Sequence, residues 1–299
     1  MKKQLFTGGH HYCVVCHNLE ESVAFYRDVL SFRFVSFAEE KTDTENIRFA
    51  YMKNDILLLA LIEPEGWKDE ACEWAAAGLN HLCLICGDGD ATEAMLREKH
   101  GIEFESIEDE PDWKCLFFRG PNQERIEIME IRSEMFPVIY TTPNDSPYIR
   151  GMGHVGIFSG DYEKSIHFYC DVMGFEHLIT FEEGGPDQPF WNKNAVLKCN
   201  DAVIELLCPL QHAVVREKYY YQARMQMTLF GMKPAGTVHD AAGALSAAPE
   251  IEWIQKEVDF LPDLPPGNDI EWVSFRDPNG FLWEIVEDIP RTECAREAK

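Results

Sequence analysis

The chain has 299 residues and a formal net charge of -25 at pH 7. Its length predicts about two domains, and the negative charge argues against nucleic acid and anionic membrane surfaces as partners. No apolar run approaches the ~20 residues of a membrane span, and the N-terminus lacks the apolar region of a signal peptide. The 10 cysteines lack the spacing of small secreted domains. We therefore expect a cytoplasmic protein with reduced thiols.

The first predicted unit, residues 5–66, contains a strand, a helix and further strands. Alternating apolar residues follow His11 and predict the opening strand. Asn18 is suited to cap the helix because its side chain can accept hydrogen bonds from the first free amides. The motif C-x-x-C at Cys13 and Cys16 falls within one predicted strand, a position that does not favour a redox role.

Three further units follow the same order of elements. The second spans residues 78–132, and a proline-containing stretch, residues 138–149, predicts an extended linker. The third unit spans residues 151–210 and the fourth residues 222–289, where the helix is weakly encoded. We therefore predict an N-terminal domain at residues 1–137, a C-terminal domain at 150–290 and a tail at 291–299.

Internal repeats support this division. Residues 153–175 match residues 11–32 at His, Glu, Ser, Phe-Tyr, Asp, Val and Phe. The segment FFRGPNQERIEIME, which begins at Phe117, likewise matches SFRDPNGFLWEIVE, which begins at Ser274. Such self-similarity predicts repeated structural units. The expected fold class is α+β, with four βαβββ units in two domains.

The repeated motifs, a His in the first strand, then FY-x-D-V-x-x-F, then D-P-N-G followed four residues later by Glu, resemble those of the vicinal oxygen chelate superfamily. The superfamily includes glyoxalase I, methylmalonyl-CoA epimerase, extradiol dioxygenases and metal-free antibiotic-binding proteins. The resemblance implies that paired units curl cup-shaped mixed sheets around a site, with ligands on the first and last strands of each unit. It does not decide the reaction, because one fold hosts several chemistries.

Carried over by position, the resemblance implies two sets of metal ligands. The N-terminal set is His11, His81 and Glu127, with Ala60 or Leu59 at the fourth position, where neither can bind a metal. The C-terminal set is His154, Glu205, Gln226 and Glu284. Nitrogen and oxygen donors of these kinds suit Zn, Ni, Co, Mn or Fe.

The C-terminal set is expected to be the working site, because Glu205 is present there and the D-P-N-G turn is intact at Asp277. Glu284 is predicted to bind the metal, and Glu205 is predicted to be a ligand or the base that moves a proton. Cys13 and Cys83 lie two residues after His11 and His81, so they are expected beside the ligands.

Three functions stay open. The leading hypothesis is a metal-dependent isomerase, epimerase or lyase that transfers a proton on a small substrate with vicinal oxygens. The second is an extradiol dioxygenase, although Ser274 and not a His precedes Asp277 and no histidine occurs between residues 240 and 299. The third is a metal-free protein that sequesters a small molecule. The sequence allows a homo-oligomer.

Overall fold

A computed structural model describes residues 4–41, 46–54, 57–65, 78–133, 145–187, 191–211, 230–261 and 268–290. It confirms the α+β class, with four βαβββ units arranged in two mixed, cup-shaped sheets of eight strands each. No helix in these ranges is both long and apolar enough to cross a membrane.

The elements follow the predicted order along the chain. The strands are β1 (Phe6–Val15), β2 (Arg33–Lys41), β3 (Asn46–Asn54), β4 (Leu57–Pro64), β5 (Gly78–Cys86), β6 (Phe104–Asp109), β7 (Trp113–Arg119), β8 (Arg125–Ile131), β9 (Ile149–Phe158), β10 (Glu176–Gly184), β11 (Trp191–Cys199), β12 (Ala202–Pro209), β13 (Phe230–Pro234), β14 (Glu252–Leu261), β15 (Asn268–Arg276) and β16 (Leu282–Pro290). The helices are α1 (Leu19–Asp28), α2 (Gly89–His100), α3 (Tyr162–Ile166), which a π-helical segment (His167–Val172) continues, and α4 (Val238–Leu245).

The pairing of units differs from the expected one. The first sheet has the order β14-β15-β16-β13-β1-β4-β3-β2 and joins the first unit to the fourth. The second sheet, β10-β11-β12-β9-β5-β8-β7-β6, joins the second unit to the third. Each sheet therefore crosses the predicted boundary between residues 1–137 and 150–290. Strand β9 also begins inside the predicted linker, whereas residues 134–144 and the tail lie outside the described residues.

The helix ends follow local sequence rules. The side chains of Asn18 and Asp161 cap α1 and α3 by accepting from backbone amides three residues later. Gly174 follows the π-helical segment with φ 84°, and Ser31 occupies the matching position after α1 with φ 62°. Because a side chain is disfavoured in this left-handed region, the first unit is the more strained at this exit.

The repeated motifs connect α1 to the second unit. The Tyr26 hydroxyl donates to Glu124 Oε1 at 2.9 Å, and Asn122 Nδ2 donates to Ser22 Oγ at 3.1 Å. Because α1 belongs to the first sheet and the Asn122 turn to the second, these bonds join consecutive units across the two sheets.

The same motif connects α3 and its π-helical extension to the fourth unit. The Tyr169 hydroxyl donates to Asp277 Oδ2, and Asn279 Nδ2 donates to Ser165 Oγ at 3.1 Å. Trp283 Nε1 also donates to Asp277, at 3.1 Å. The FY and D-P-N-G motifs are thus parts of a buried link between helix and turn rather than of the cup.

Candidate metal centre

Four ionisable side chains converge from the four central strands of the second sheet, β12, β9, β5 and β8. The Nε2 atoms of His81 and His154 lie 3.0 Å apart, and Glu127 Oε2 is 3.2 Å from each of them. Glu205 Oε2 lies 3.2 Å from His154 Nε2 and 3.5 Å from His81 Nε2. All four candidate ligand atoms lie within 4.8 Å of one another.

Strand register explains this convergence. Gly156 on β9 is aligned with His81 on β5 and with Glu205 on β12. A Cβ atom on Gly156 would lie 2.2 Å from His81 Cε1. The imidazole therefore occupies space that any other residue at position 156 would fill.

The electrostatics of Glu127 suit a cation. Burial by itself would raise the pKa of this carboxyl, but the close imidazoles of His154 and His81 outweigh that effect and hold the pKa well below its usual range. Glu127 Oε2 is buried and makes no hydrogen bond of acceptable geometry with the described residues. Because a buried polar atom without a partner is costly, a group that binds this oxygen would stabilise the site.

The donor set fits a divalent metal ion. Asn80 Oδ1 lies 2.8 Å from His81 Nδ1 and can accept a hydrogen bond from it, so the neutral ring would present the lone pair of Nε2 to an ion. Two ligand atoms that each lie about 2.1 Å from one ion can be at most about 4.2 Å apart, and the five separations given above are 3.0–3.5 Å. Two imidazole nitrogens and two carboxylate oxygens suit Zn, Ni, Co, Mn or Fe(II).

The four side chains face a cavity of about 250 Å³ inside the second sheet. Its apolar side chains come from both units of that sheet and include Trp113, Phe117, Met129, Ile179, Phe181, Val196 and Leu207. Three further carboxylates, Glu108, Glu182 and Glu183, also line it, together with Arg125. A small molecule in this cavity would contact the cluster at one end and apolar side chains around it.

Comparisons with known proteins agree with this architecture. The sequence model of the Glyoxalase/Bleomycin resistance protein/Dioxygenase superfamily matches residues 8–128 and 151–211. The chain belongs to this superfamily. It is 30% identical to the uncharacterized protein YwkD of Bacillus subtilis (strain 168) over 125 residues, which are 40% of this chain and 94% of that protein.

Two solved structures with the superfamily fold cover nearly the whole chain. Glyoxalase I from Zea mays is 18% identical, with a TM-score of 0.65 over 97% of this chain and 94% of that chain. A putative dioxygenase from Bacillus subtilis subsp. subtilis str. 168 is 16% identical, with a TM-score of 0.61 over 95% of this chain and 86% of that chain. At these identities the likeness concerns the fold alone.

In this superfamily member, the first sheet lacks a matching cluster among the described residues. Ala60 aligns with Cys13 on β1, just as Glu205 aligns with Gly156 on β9, so Ala60 and not Leu59 occupies the position of Glu205. An alanine offers no ligand atom.

His11 and Glu284 instead form an ion pair in the first sheet, with His11 Nε2 3.3 Å from Glu284 Oε2. His11 Nδ1 lies 2.8 Å from His10 Nδ1, and His10 Nε2 lies 3.0 Å from Asp288 Oδ2. Burial lowers the pKa of His11, but Cys13 and Glu284 outweigh it and raise that pKa to about 10. Nε2 of His11 is thus occupied by its ion pair with Glu284, and no cluster of three or more candidate ligand groups forms around it among the described residues.

The structure therefore divides the predicted ligands differently from the two expected sets. It brings together two members of each set, His81 and Glu127 with His154 and Glu205. The expectation that Glu284 shares a site with His154 is wrong, because unit pairing places them in different sheets. Gln226 lies outside the described residues.

Several residues around the cluster carried no signal in the sequence. In the sequence, four of them look like ordinary polar residues on strands: Asn80, Glu108, Glu183 and Arg125. Their place in the cavity depends on which units pair, and the sequence pattern does not show this. Cys83 lies beside the candidate ligands as expected, and its thiol interacts with His154 and Glu127 from the neighbouring strands.

We predict that Gly156→Ala lowers metal affinity by at least about tenfold, the scale of losing a group that orients a ligand. The added Cβ would displace the His81 ring. Gly231→Ala is the matched control, because its Cβ would lie 2.5 Å from His11 Nδ1 in the first sheet. Competition with a chromophoric chelator measures both variants, and equal affinities would contradict this role of Gly156.

Proposed function

We propose that the protein is a divalent-metal-dependent, glyoxalase-like enzyme. It transfers a proton on a small substrate with vicinal oxygens, as an isomerase, epimerase or lyase does. The observation that carries this proposal is the convergence of two imidazoles and two carboxylates in the lining of one cavity. A buried cluster of this kind costs free energy unless a cation or substrate compensates for it.

A divalent ion held by His81, Glu127, His154 and Glu205 would supply Lewis-acid stabilisation of charge on the substrate oxygens. The rest of the proposed mechanism concerns side chains. Asn80 keeps the His81 ring in one tautomer and orientation, because its carboxamide oxygen lies at Nδ1. Glu127 stays in place, since its side chain is only 5% exposed.

Glu205 is the best candidate for the group that moves the proton. Its side chain is 16% exposed, the most of the four, and it lines the cavity that a substrate would enter. A carboxylate there can accept a proton from a carbon next to a carbonyl and return it to the neighbouring carbon. Apolar side chains that line the same cavity limit the water that would otherwise compete for that proton.

The donor set also bears on the alternatives. Two carboxylates beside two imidazoles differ from the arrangement of two histidines and one carboxylate that Fe(II) oxygenases use. This favours proton transfer over extradiol ring cleavage. The metal-free sequestering alternative does not account for a buried Glu127 Oε2 that makes no hydrogen bond of acceptable geometry with the described residues.

Deuterium exchange tests the proposal without knowledge of the substrate. The metal-stripped protein is reloaded with Zn, Ni, Co, Mn or Fe(II) and incubated in D2O with small α-hydroxy ketones and α-keto thioesters. We expect exchange next to the carbonyl with at least one ion. Glu205→Gln should lower the rate at least about 100-fold, as loss of an acid-base group does, while Glu284→Gln should keep it.

Three outcomes would contradict the proposal. Exchange that survives Glu205→Gln would exclude Glu205 as the base. Oxygen uptake with catechols by the Fe(II)-loaded protein at enzymatic rates would favour ring cleavage. Ligand binding by a protein that takes up no metal would favour sequestration.

A further inference from the structure

Acidic side chains are numerous among the residues that line the cavity beside the cluster. Five carboxylates line it, and they come from both halves of the second sheet: Glu108, Glu127, Glu182, Glu183 and Glu205. Only Glu127 and Glu205 belong to the cluster. The other three extend along β6 and β10, so a substrate bound at the cluster would lie near acidic side chains on both sides.

Two of these carboxylates have a pKa that their surroundings raise. Burial and the charges of Glu127 and Glu205 raise the pKa of Glu108 to about 7. Burial and the charges of Glu205 and Glu108 raise the pKa of Glu183 to about 7. Carboxylates on opposite edges of the sheet therefore act on one another through the cavity. An additional negative charge placed between them would meet the same repulsion.

Arg125 is the only arginine or lysine among the described residues that line this cavity. Its Nε donates to Glu105 Oε2 at 3.0 Å, and its guanidinium carbon lies 4.3 Å from the centre of the Phe117 ring. Its charge is thus already offset by Glu105 and held against an aromatic face. At pH 8, above the pKa of Glu108 and Glu183, the five carboxylates carry more negative charge than a divalent ion and Arg125 together offset.

The remaining surface is apolar and partly aromatic. Trp113 and Phe117 come from β7, whereas Ile179, Phe181 and Val196 come from β10 and β11. These side chains can pack against a ring or a branched alkyl group, which gains free energy in proportion to the apolar area buried.

We propose that this cavity takes an uncharged, hydrophobic substrate and rejects one that carries a carboxylate or phosphate away from its chelating oxygens. The proposal rests on the proposed function, because it assumes that vicinal oxygens bind at the cluster. Glu108 and Glu183 provide the discrimination by repelling an anionic group, and the aromatic walls provide the affinity. Specificity of this kind depends on repulsion as much as on attraction.

Two catechols that differ only in charge test the proposal. Protocatechuate carries a carboxylate, and protocatechuamide carries an uncharged amide of nearly the same size and the same vicinal oxygens. Binding to the Zn-loaded protein is measured by calorimetry at pH 8. We expect the amide to bind at least about tenfold more tightly, because like charges in an enclosed site are costly.

Two variants, Glu108→Gln and Glu183→Gln, should each reduce the ratio of amide affinity to carboxylate affinity, because each should strengthen the binding of protocatechuate alone. Glu284→Gln should leave this ratio unchanged. Equal affinities, tighter binding of the carboxylate, or a ratio insensitive to both variants would overturn the charge selection while leaving proton transfer intact. Failure of both catechols to bind the Zn-loaded protein would overturn the proposed site as well as the selection.

Discussion

Glu127→Ala is expected to lower affinity for a divalent metal by more than about 100-fold, beyond the usual effect of changing a residue outside the ligand shell. Glu127 Oε2 lies 3.2 Å from both Nε2 atoms of the cluster and makes no hydrogen bond of acceptable geometry with the part of the chain that the structure describes. Without it, the remaining three side chains lose their most buried carboxylate. Elemental analysis after dialysis and competition with a chromophoric chelator would measure the loss.

Glu284→Ala is the matched control for this change. Glu284 is opposite Gly231 on β13 as Glu127 is opposite Cys83 on β5, so the two glutamates hold equivalent positions in different sheets. We expect Glu284→Ala to keep the metal. If it lost the metal while Glu127→Ala kept it, the working site would lie in the first sheet and the assignment would be reversed.

Asp277→Ala is expected to destabilise the fold by at least about 3 kcal/mol, because it breaks a buried hydrogen-bond network. The carboxylate is 2% exposed and accepts from the backbone amides of Asn279 and Phe281 as well as from Tyr169 and Trp283. Its removal leaves several buried donors without a partner, each at a cost of about 1–3 kcal/mol before relaxation.

Urea unfolding compares this variant with Asp28→Ala. Asp28 pairs with Arg27 on the surface, where its side chain is 56% exposed, and exposed pairs contribute about 1 kcal/mol at most. Similar midpoints for the two variants would contradict a structural role for the D-P-N-G aspartate. Metal affinity of folded Asp277→Ala should stay close to that of the unchanged protein, since Asp277 lies outside the cavity lining.

Local pattern was sufficient to predict much of the fold. The strand that begins near His154 and the capped helix after it follow from alternation and from Asp161, and both are present. The four-unit organisation followed from the repeats. The motifs that indicated the family, such as Tyr169 with Asp277, turned out to join a helix to a turn, so they report on the fold and not on the chemistry.

The pairing of units could not be predicted by the same reasoning. In each sheet, the first strands of two units pair antiparallel at the centre. Any two of the four first strands could do so, because alternation of apolar residues on one strand does not specify its partner. The sequence nevertheless holds one signal. Gly156 leaves room for the His81 ring, whereas Cys13, the residue at the matching position of β1, would not. One can ask, for each possible pairing of first strands, whether the residue opposite each histidine leaves room for its ring. That comparison would have favoured the observed pairing of β5 with β9.

This error explains how the candidate ligands were identified but wrongly grouped. His81, Glu127, His154 and Glu205 were each predicted from the superfamily resemblance, which places ligands on the first and last strands of a unit, and those two strands are neighbours in the structure. Which units share a site depends on contacts between residues far apart in the chain. The burial of Glu108 depends on the same contacts, so its role in the cavity was missed too.

The metal stoichiometry of the purified protein tests the central claim most directly. Equilibrium dialysis against Zn or Co followed by elemental analysis should give one ion per chain, because only His81, Glu127, His154 and Glu205 form such a cluster among the described residues. Glu127→Ala should reduce this to near zero. Two ions per chain in the unchanged protein, or one ion that persists in Glu127→Ala, would contradict the assignment.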